Sequence, residues 1–263
     1  MTTPREPRTA QSYHARIAFD PAAAAAIVAC AMATFLGVGG LVSGRASTAI
    51  VLFASQGSLL VAALVAAIVW ARVTDDDRPW PRLVGLRVPR ARFVLAAVLI
   101  GASTWYLNLW LVKLVGVEPP PALAQVVEHS VLPIMLLALA VLPPIAEELV
   151  FRGILARALA TRFPAIAAIA ISAALFSFYH LSLVQAAPTF VLGCALGWLA
   201  LRSDSIAPTI VLHATNNTIA VVLARGELPQ VTPVIEAHPT IMLIGCCTAT
   251  ATGLVLIATA RSR

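Results

Sequence analysis

The sequence predicts an all-α, polytopic membrane protein with about eight transmembrane helices. Of its 263 residues, 60% are hydrophobic and only 11% are charged, whereas about 25% of the residues in a typical soluble domain are charged. The mean hydropathy is +0.90. Apolar runs recur along the chain, and a bilayer span needs roughly 20 mostly apolar residues. Together these observations argue against a soluble globular protein.

The apolar runs divide the chain into eight predicted spans. In chain order they cover residues 22–41, 49–71, 93–115, 131–146 (with a possible continuation to 160), 165–183, 188–201, 206–224 and 240–260. Residues 1–18 are polar and are predicted to form a cytoplasmic N-terminal tail. No stretch resembles a separate soluble domain, so residues 19–263 are expected to form a single transmembrane helical domain.

The basic residues predict the orientation of these spans. With the N-terminus in the cytoplasm and eight alternating helices, 15 of the 18 Arg and Lys residues fall on the cytoplasmic side, as the positive-inside rule requires. Only Arg45, Lys113 and Arg225 fall on the outer side. The placement of these residues explains the net charge of +6 without nucleic-acid binding, and we find no nucleic-acid motif. Both termini are therefore expected in the cytoplasm.

Two adjacent acidic residues, Glu147 and Glu148, follow the apolar run that begins at residue 131. A carboxylate at membrane depth is costly, so a chain retains one when it is paired or functional. Arg152 lies four residues after Glu148, a spacing that places both side chains on one helix face and predicts an ion pair. Glu147 points roughly 100° away from Glu148, so it is free to face a different cavity, which fits a general base. Alternatively, both glutamates are surface charges at a helix end.

Polar residues also interrupt two later apolar runs. Phe176 and His180 lie one turn apart, and a histidine in such a place is either a hydrogen-bonded core residue or a catalyst. His213 and Asn217 have the same spacing. An imidazole and an amide on one face can both donate to a developing negative charge, as an oxyanion hole requires. The alternative is an interhelical hydrogen-bonding patch.

The three motifs in this order, E-E-x-x-x-R, F-x-x-x-H and H-x-x-x-N, resemble the CPBP family of intramembrane proteases. This family includes the type II CAAX prenyl endopeptidases and bacteriocin-processing or self-immunity proteins. The resemblance covers about residues 130–225, and all three motifs match without substitution. It implies a metal-independent glutamic endopeptidase without a cofactor, with its catalytic site inside the helical bundle.

The resemblance also implies a role for each motif residue. Glu147 and His180 would activate the water that attacks a peptide carbonyl, and His213 and Asn217 would stabilise the resulting oxyanion. The supporting residues would be Glu148, Arg152 and Phe176. The substrate would be a membrane-anchored or hydrophobic peptide or protein, prenylated or not, met within the lipid bilayer. The alanine- and arginine-rich composition suggests a bacterial inner membrane.

Three alternatives use the same residues. One glutamate and two histidines could bind zinc and leave a position open for water. A scaffold or bacteriocin-immunity protein could retain the site for binding without proteolysis. A transporter could use the Glu and His side chains as a proton relay, although we find no inverted repeat of the kind many transporters have.

The predicted boundaries leave a mismatch in depth between the two histidines. His180 lies about 16 residues past the start of its helix, or about 24 Å at 1.5 Å per residue, whereas His213 lies about seven residues, or about 10 Å, past its own start. Catalytic groups must meet at one depth. The fifth helix must therefore start farther out or tilt, unless the boundaries are wrong.

Overall fold

Each predicted apolar run forms a helix in the computed structural model, which describes residues 19–74, 79–116 and 131–260. The described helices are α1 (Pro21–Val42), α2 (Thr48–Val73), α3 (Trp80–Leu83), α4 (Ala91–Val115), α5 (Leu132–Leu159), α6 (Ala165–Tyr179), α7 (Leu183–Ser203), α8 (Ala207–Ala224), α9 (Thr232–Ala237) and α10 (Pro239–Ala258). The tail predicted for residues 1–18 lies outside the described residues.

Helix length and apolar composition confirm an all-α polytopic membrane protein. In the described residues, seven helices are long and apolar enough to span a bilayer, namely α1, α2, α4, α5, α7, α8 and α10. The remaining predicted span forms α6, which has only 15 residues and is therefore about 22 Å long. This is shorter than the roughly 30 Å hydrocarbon core of a typical bilayer.

The boundary between α6 and α7 differs from the one predicted. α6 ends at Tyr179 rather than near residue 183, and α7 begins at Leu183 rather than at Pro188, which lies inside the helix. Ser182 sets the start of α7, because its side chain accepts a hydrogen bond from the backbone N–H of Gln185 and so caps the first turn. Leu181, with a φ of 48°, completes the turn between the helices.

Two groups of helices form the apolar core. The α1–α2 hairpin packs on α5 and on the C-terminal part of α6, whereas α4 packs with α7, α8 and α10. Small residues permit close approach in the second group. A Cβ at Gly101 of α4 would lie 2.5 Å from the carbonyl oxygen of Leu212 on α8, and one at Gly253 of α10 would lie 2.5 Å from Ile100 Cγ1. Such contacts are typical of helix pairs in membranes.

Two π-helical segments interrupt α5, at Leu136–Val141 and Leu149–Ala156. Pro143 and Pro144 lie between them. Because proline has no backbone N–H, Pro143 cannot bond to the carbonyl of Leu139, its partner in a regular α-helix. The ladder shifts instead, and the N–H of Leu142 bonds to Leu137 O, five residues earlier. Such π segments are frequent at functional sites.

Arginines join several helix ends at one end of the bundle. Arg87, before α4, and Arg157, in the last turn of α5, both pair with Asp204, which follows α7. Arg202, in the last turn of α7, donates to Ala258 O and Ala260 O at the end of α10. These arginines were all assigned to the cytoplasmic side. Arg152, which was counted with them, is instead completely buried in the bundle.

A segment formed by residues 79–90 covers the turn between α7 and α8. Ile206 donates its N–H to Gly85 O, and Ser205 donates its hydroxyl to Arg87 O. Ile206 is buried. The predicted depth mismatch is absent from the structure, because the Phe176 ring lies 4.8 Å from that of His180 and 5.8 Å from that of His213.

The orientation stays a prediction, and impermeant labelling tests it. In a variant whose native cysteines are replaced by alanine, Ser43→Cys should react with a membrane-impermeant maleimide added to intact cells, because Ser43 is exposed at the predicted outer end of α1. Thr74→Cys, exposed at the other end of α2, should react only after permeabilisation. The opposite pattern would invert the topology.

Asp204 should contribute measurably to stability, because its carboxylate accepts hydrogen bonds from two arginines. Asp204→Asn keeps a residue that tolerates the φ of 52° but removes the charge. We expect a loss of about 1–2 kcal/mol, measured as a lower Tm of the purified protein. The control is Asp20→Asn, which keeps an N-cap and removes only an exposed 3.8 Å ion pair with Arg162. Equal shifts in the two variants would contradict the prediction.

Candidate active site

Glu147, Glu148 and Arg152 all project from α5 into the bundle, where their exposed fractions are 3%, 0% and 0%. Arg152 Nη1 lies 2.9 Å from Glu148 Oε1, so the ion pair predicted from their spacing is present. Arg152 Nη2 donates to Gly193 O on α7 at 3.3 Å, and its guanidinium carbon lies 4.2 Å from the centre of the Phe176 ring. A buried charge needs an opposite charge and hydrogen-bond partners to offset its loss of water, and these contacts supply them to Arg152.

His213 on α8 lies between the two glutamates. Its Nδ1 is 3.0 Å from Glu148 Oε1, and its Nε2 is 3.8 Å from Glu147 Oε2. Because an ionised carboxylate can only accept, Nδ1 carries a proton that it donates to Glu148. This carboxylate–imidazole pair fixes the orientation of the ring, as the aspartate does for the histidine of a Ser-His-Asp triad. Glu147 therefore does not face a cavity separate from Glu148, since both carboxylates reach the same imidazole.

The two oxygens of Glu147 have different surroundings. Oε1 accepts a hydrogen bond from Gln56 Nε2 of α2 at 3.1 Å. Oε2 is buried and accepts no hydrogen bond from any group among the described residues. A buried carboxylate oxygen without a donor is unusual in proteins. Glu148 Oε2 also lacks one within the described part of the chain, but Glu147 Oε2 lies 3.8 Å from His213 Nε2, where a further donor, such as a water molecule or a substrate N–H, can bind beside the ring.

His180 is the residue after α6 and is half-buried. Its Nδ1 lies 2.8 Å from Phe176 O. Since a carbonyl only accepts, Nδ1 is the protonated nitrogen and the lone pair of the neutral ring is on Nε2. The ring also contacts those of Phe176 and Tyr179, with centroids 4.8 and 5.4 Å away. His180 thus joins the cluster through aromatic contacts rather than through a hydrogen bond to Glu147.

Asn217 has a structural partner that the sequence did not predict. Its Nδ2 donates to Leu139 O at 2.9 Å, the carbonyl that Pro143 cannot bond. Its Oδ1 accepts from Asn216 Nδ2, and Asn216 Oδ1 accepts in turn from Thr104 on α4. This chain fixes the orientation of both amides. One N–H of Asn217 is thereby occupied, and the second is left for another acceptor.

Sequence reasoning missed Gln56, Tyr179, Thr104 and Asn216. One signal was available for Gln56, because it is the only amide side chain in the apolar run 49–71, and polar residues inside membrane helices are often functional. Asn216 is adjacent to a motif residue but lacks the helical spacing that drew attention to Asn217. Thr104 carries no local signal, since isolated threonines are common in membrane helices.

The zinc alternative requires three donors that converge on one point. In the part of the chain that the structure describes, no group of three His, Cys, Asp or Glu side chains is placed so that it could hold a metal ion. Glu148 Oε1 faces Arg152 instead. The described residues therefore do not fit the donor set of a catalytic zinc site.

Comparison with known proteins finds a match for the segment that contains the three motifs. Residues 129–219 match the family model described as Type II CAAX prenyl endopeptidase Rce1-like. The chain carries an Rce1-like segment. This match confirms the family resemblance predicted from the three motifs and supports an intramembrane protease role. No curated protein and no solved structure matches the chain.

The Rce1-like segment contains every residue of the three motifs, from Glu147 to Asn217. It does not contain Gln56 or Thr104, which lie on α2 and α4 and hydrogen-bond to the cluster from outside it. Part of the site is therefore supplied by helices that precede the matched segment.

Removing the charge of Arg152 should strongly destabilise the protein. Arg152→Met leaves Glu148 buried without its cation, a change that costs about 3–5 kcal/mol in comparable cases. Adding Glu148→Gln to Arg152→Met should recover part of this loss, because the buried charge is also removed. Arg162→Met is the control, since Arg162 is an exposed arginine whose loss should be close to neutral. Thermal unfolding in detergent measures all four proteins, and equal Tm values for the two single variants would contradict the prediction.

Proposed function

We propose that this protein is an intramembrane endopeptidase in which Glu147 acts as the general base for hydrolysis of a peptide bond. The observation that carries the proposal is the placement of Glu147 Oε2, which is buried, has no donor among the described residues and faces His213 at 3.8 Å. A general base must offer a free acceptor within hydrogen-bond reach of the proton it removes. Oε2 is a free acceptor, and a bound water would bring the proton to be removed within its hydrogen-bond reach.

In the proposed reaction, the water gives one proton to Glu147 as its oxygen attacks the carbonyl carbon of the scissile peptide. The tetrahedral intermediate then collapses, the C–N bond breaks, and the leaving nitrogen receives the proton that Glu147 took. His180 assists with its Nε2, which the hydrogen bond to Phe176 O leaves as an acceptor. The products are a carboxyl group and an amine, so the atoms balance without a further reactant.

His213 and Asn217 are proposed to stabilise the oxyanion of this intermediate. Because Nδ1 of His213 already donates to Glu148, donation from Nε2 requires the imidazolium form with a proton on both nitrogens. Asn217 would contribute the N–H that Leu139 does not use. Glu148 and Arg152 orient His213, and Phe176 packs between the two histidines.

The proposed substrate is a membrane-anchored or hydrophobic peptide or protein. The carboxylates and His213 are buried among helices that are apolar enough to span a bilayer, so a peptide reaches them from the membrane. We propose residues 19–263 as one transmembrane domain of a bacterial plasma membrane, with both termini in the cytoplasm. The shared position of the arginines at one end of the bundle supports this orientation.

Peptide cleavage by the purified protein tests the proposal. Wild type, Glu147→Gln, His180→Ala and His213→Ala are compared on quenched fluorescent peptides, prenylated and plain, with and without a chelator. We expect each variant to lose at least about 10²-fold in kcat while its Tm shows that it is folded. Glu227→Gln changes a carboxylate at the surface and should cleave as wild type does.

Chelator should not affect cleavage by the wild type if Glu147 activates water without a metal. Full activity of Glu147→Gln would refute the assignment. Loss of wild-type activity in chelator, restored by added Zn²⁺, would favour the zinc mechanism instead.

A further inference from the structure

Gln56 has no place in the mechanism above, yet its side chain is buried beside the proposed general base. It lies on α2, and its exposed fraction is 7%. The other buried residues of α2 are Ser55, whose hydroxyl bonds within the helix, and apolar residues. A buried amide needs hydrogen-bond partners, because leaving it unpaired costs about 1–3 kcal/mol. The partners of Gln56 therefore indicate what it does.

Two side chains of the site accept hydrogen bonds from Gln56. Its Nε2 donates to Glu147 Oε1 at 3.1 Å and to the hydroxyl oxygen of Tyr179 at 3.2 Å. The amide cannot be reversed, because Gln56 Oε1 would then face the carboxylate and repel it. The carboxylate of Glu147 thus sets the direction of the amide, and Tyr179 accepts its second N–H and holds the nitrogen in place. Tyr179 is itself held by Phe35 of α1 and Phe151 of α5, with ring centroids 4.9 and 5.6 Å away.

The hydrogen bond makes the two oxygens of Glu147 inequivalent. Oε1 is held by Gln56, and Oε2 has no donor among the described residues. The last torsion of a glutamate side chain has a broad energy profile, so the carboxylate would otherwise rotate about it. Holding one oxygen fixes the direction of the other. Misplacing a catalytic group by about 1 Å can reduce a rate by about 10²-fold.

We propose that Gln56 is a positioning residue that holds Glu147 Oε1 so that Oε2 faces the attacking water, and that Tyr179 acts through Gln56. The inference rests on the proposed function and deepens it. It also assigns a role to α2, which lies outside the Rce1-like segment. The α1–α2 hairpin is then part of the active site rather than only a membrane anchor.

Steady-state kinetics on a peptide that the wild type cleaves test this role. Gln56→Leu removes the donor at similar volume and should lower kcat about 10- to 100-fold with little change in KM. Gln56→Glu keeps the shape but places a second carboxyl beside Glu147, so that the pair holds a proton, and it should also lower kcat. Tyr179→Phe keeps the ring and loses the hydroxyl, so it should have a smaller effect. Ser55→Ala, at the neighbouring buried position, is the control and should match the wild type.

A double variant separates positioning from packing. If Tyr179 acts through Gln56, then Gln56→Leu with Tyr179→Phe should be no slower than Gln56→Leu alone, because interacting residues are not additive. Additive losses would overturn the link between them. Should Gln56→Leu fail to fold, Gln56→Glu and Tyr179→Phe carry the same comparison.

The outcomes also distinguish this inference from the proposed function. Cleavage that persists in Glu147→Gln would overturn the proposed function, and the role of Gln56 with it. Cleavage that depends on Glu147 but keeps its wild-type kcat in Gln56→Leu would overturn only the role of Gln56. A change in KM at constant kcat would make Gln56 a substrate contact and would overturn positioning.

Discussion

The rest of the site depends on the two hydrogen bonds that the carboxylate of Glu148 accepts. Its Oε1 accepts from Arg152 within α5 and from His213 of α8. Arg152 then reaches Gly193 O of α7. Glu148 and Arg152 together thus link three helices, and Glu148 sets the orientation of the imidazole between the two glutamates. Because an uncompensated charge is strongly unfavourable in such surroundings, these side chains are mutually required.

Small residues make this arrangement possible. A Cβ at Gly193 would lie 3.0 Å from Ala173 Cβ of α6 and 3.4 Å from Arg152 Nη2, so a larger residue would push α6 away or displace the guanidinium. Pro143 contributes in a different way, since it leaves Leu139 O available to Asn217. The chemistry of the site therefore depends on backbone features of α5 and α7 as well as on charged side chains.

Local patterns in the sequence predicted the parts of the site that are themselves local. The Glu148–Arg152 ion pair and the contact of Phe176 with His180 both follow from a spacing of four residues on one helix. The long-range contacts could not be predicted in this way. Gln56 meets Glu147 across 91 positions of sequence, and the placement of His213 depends on the segment that covers the α7–α8 turn. Each contact joins two distant parts of the chain, so neither produces a periodic pattern within one helix.

The boundaries of α6 were the least predictable part of the fold. Leu181 and Leu183 extend the apolar pattern past His180, so hydropathy carries the predicted helix through to residue 183. The capping hydrogen bond from Gln185 to Ser182 favours a separate helix start instead. The position of His180 is therefore set by the turn that ends α6 and not by the apolar pattern around it.

The short α6 has a consequence for the supply of water to the proposed hydrolytic site. Its 15 residues are about 8 Å short of an average hydrocarbon core, a hydrophobic mismatch that bilayers relieve by local thinning. Leu181 and Leu183 are exposed at this end. Thinning of the bilayer there would bring lipid headgroups and water toward His180. This short helix would then set the side from which water reaches the carboxylates, and a thicker bilayer would lengthen that path.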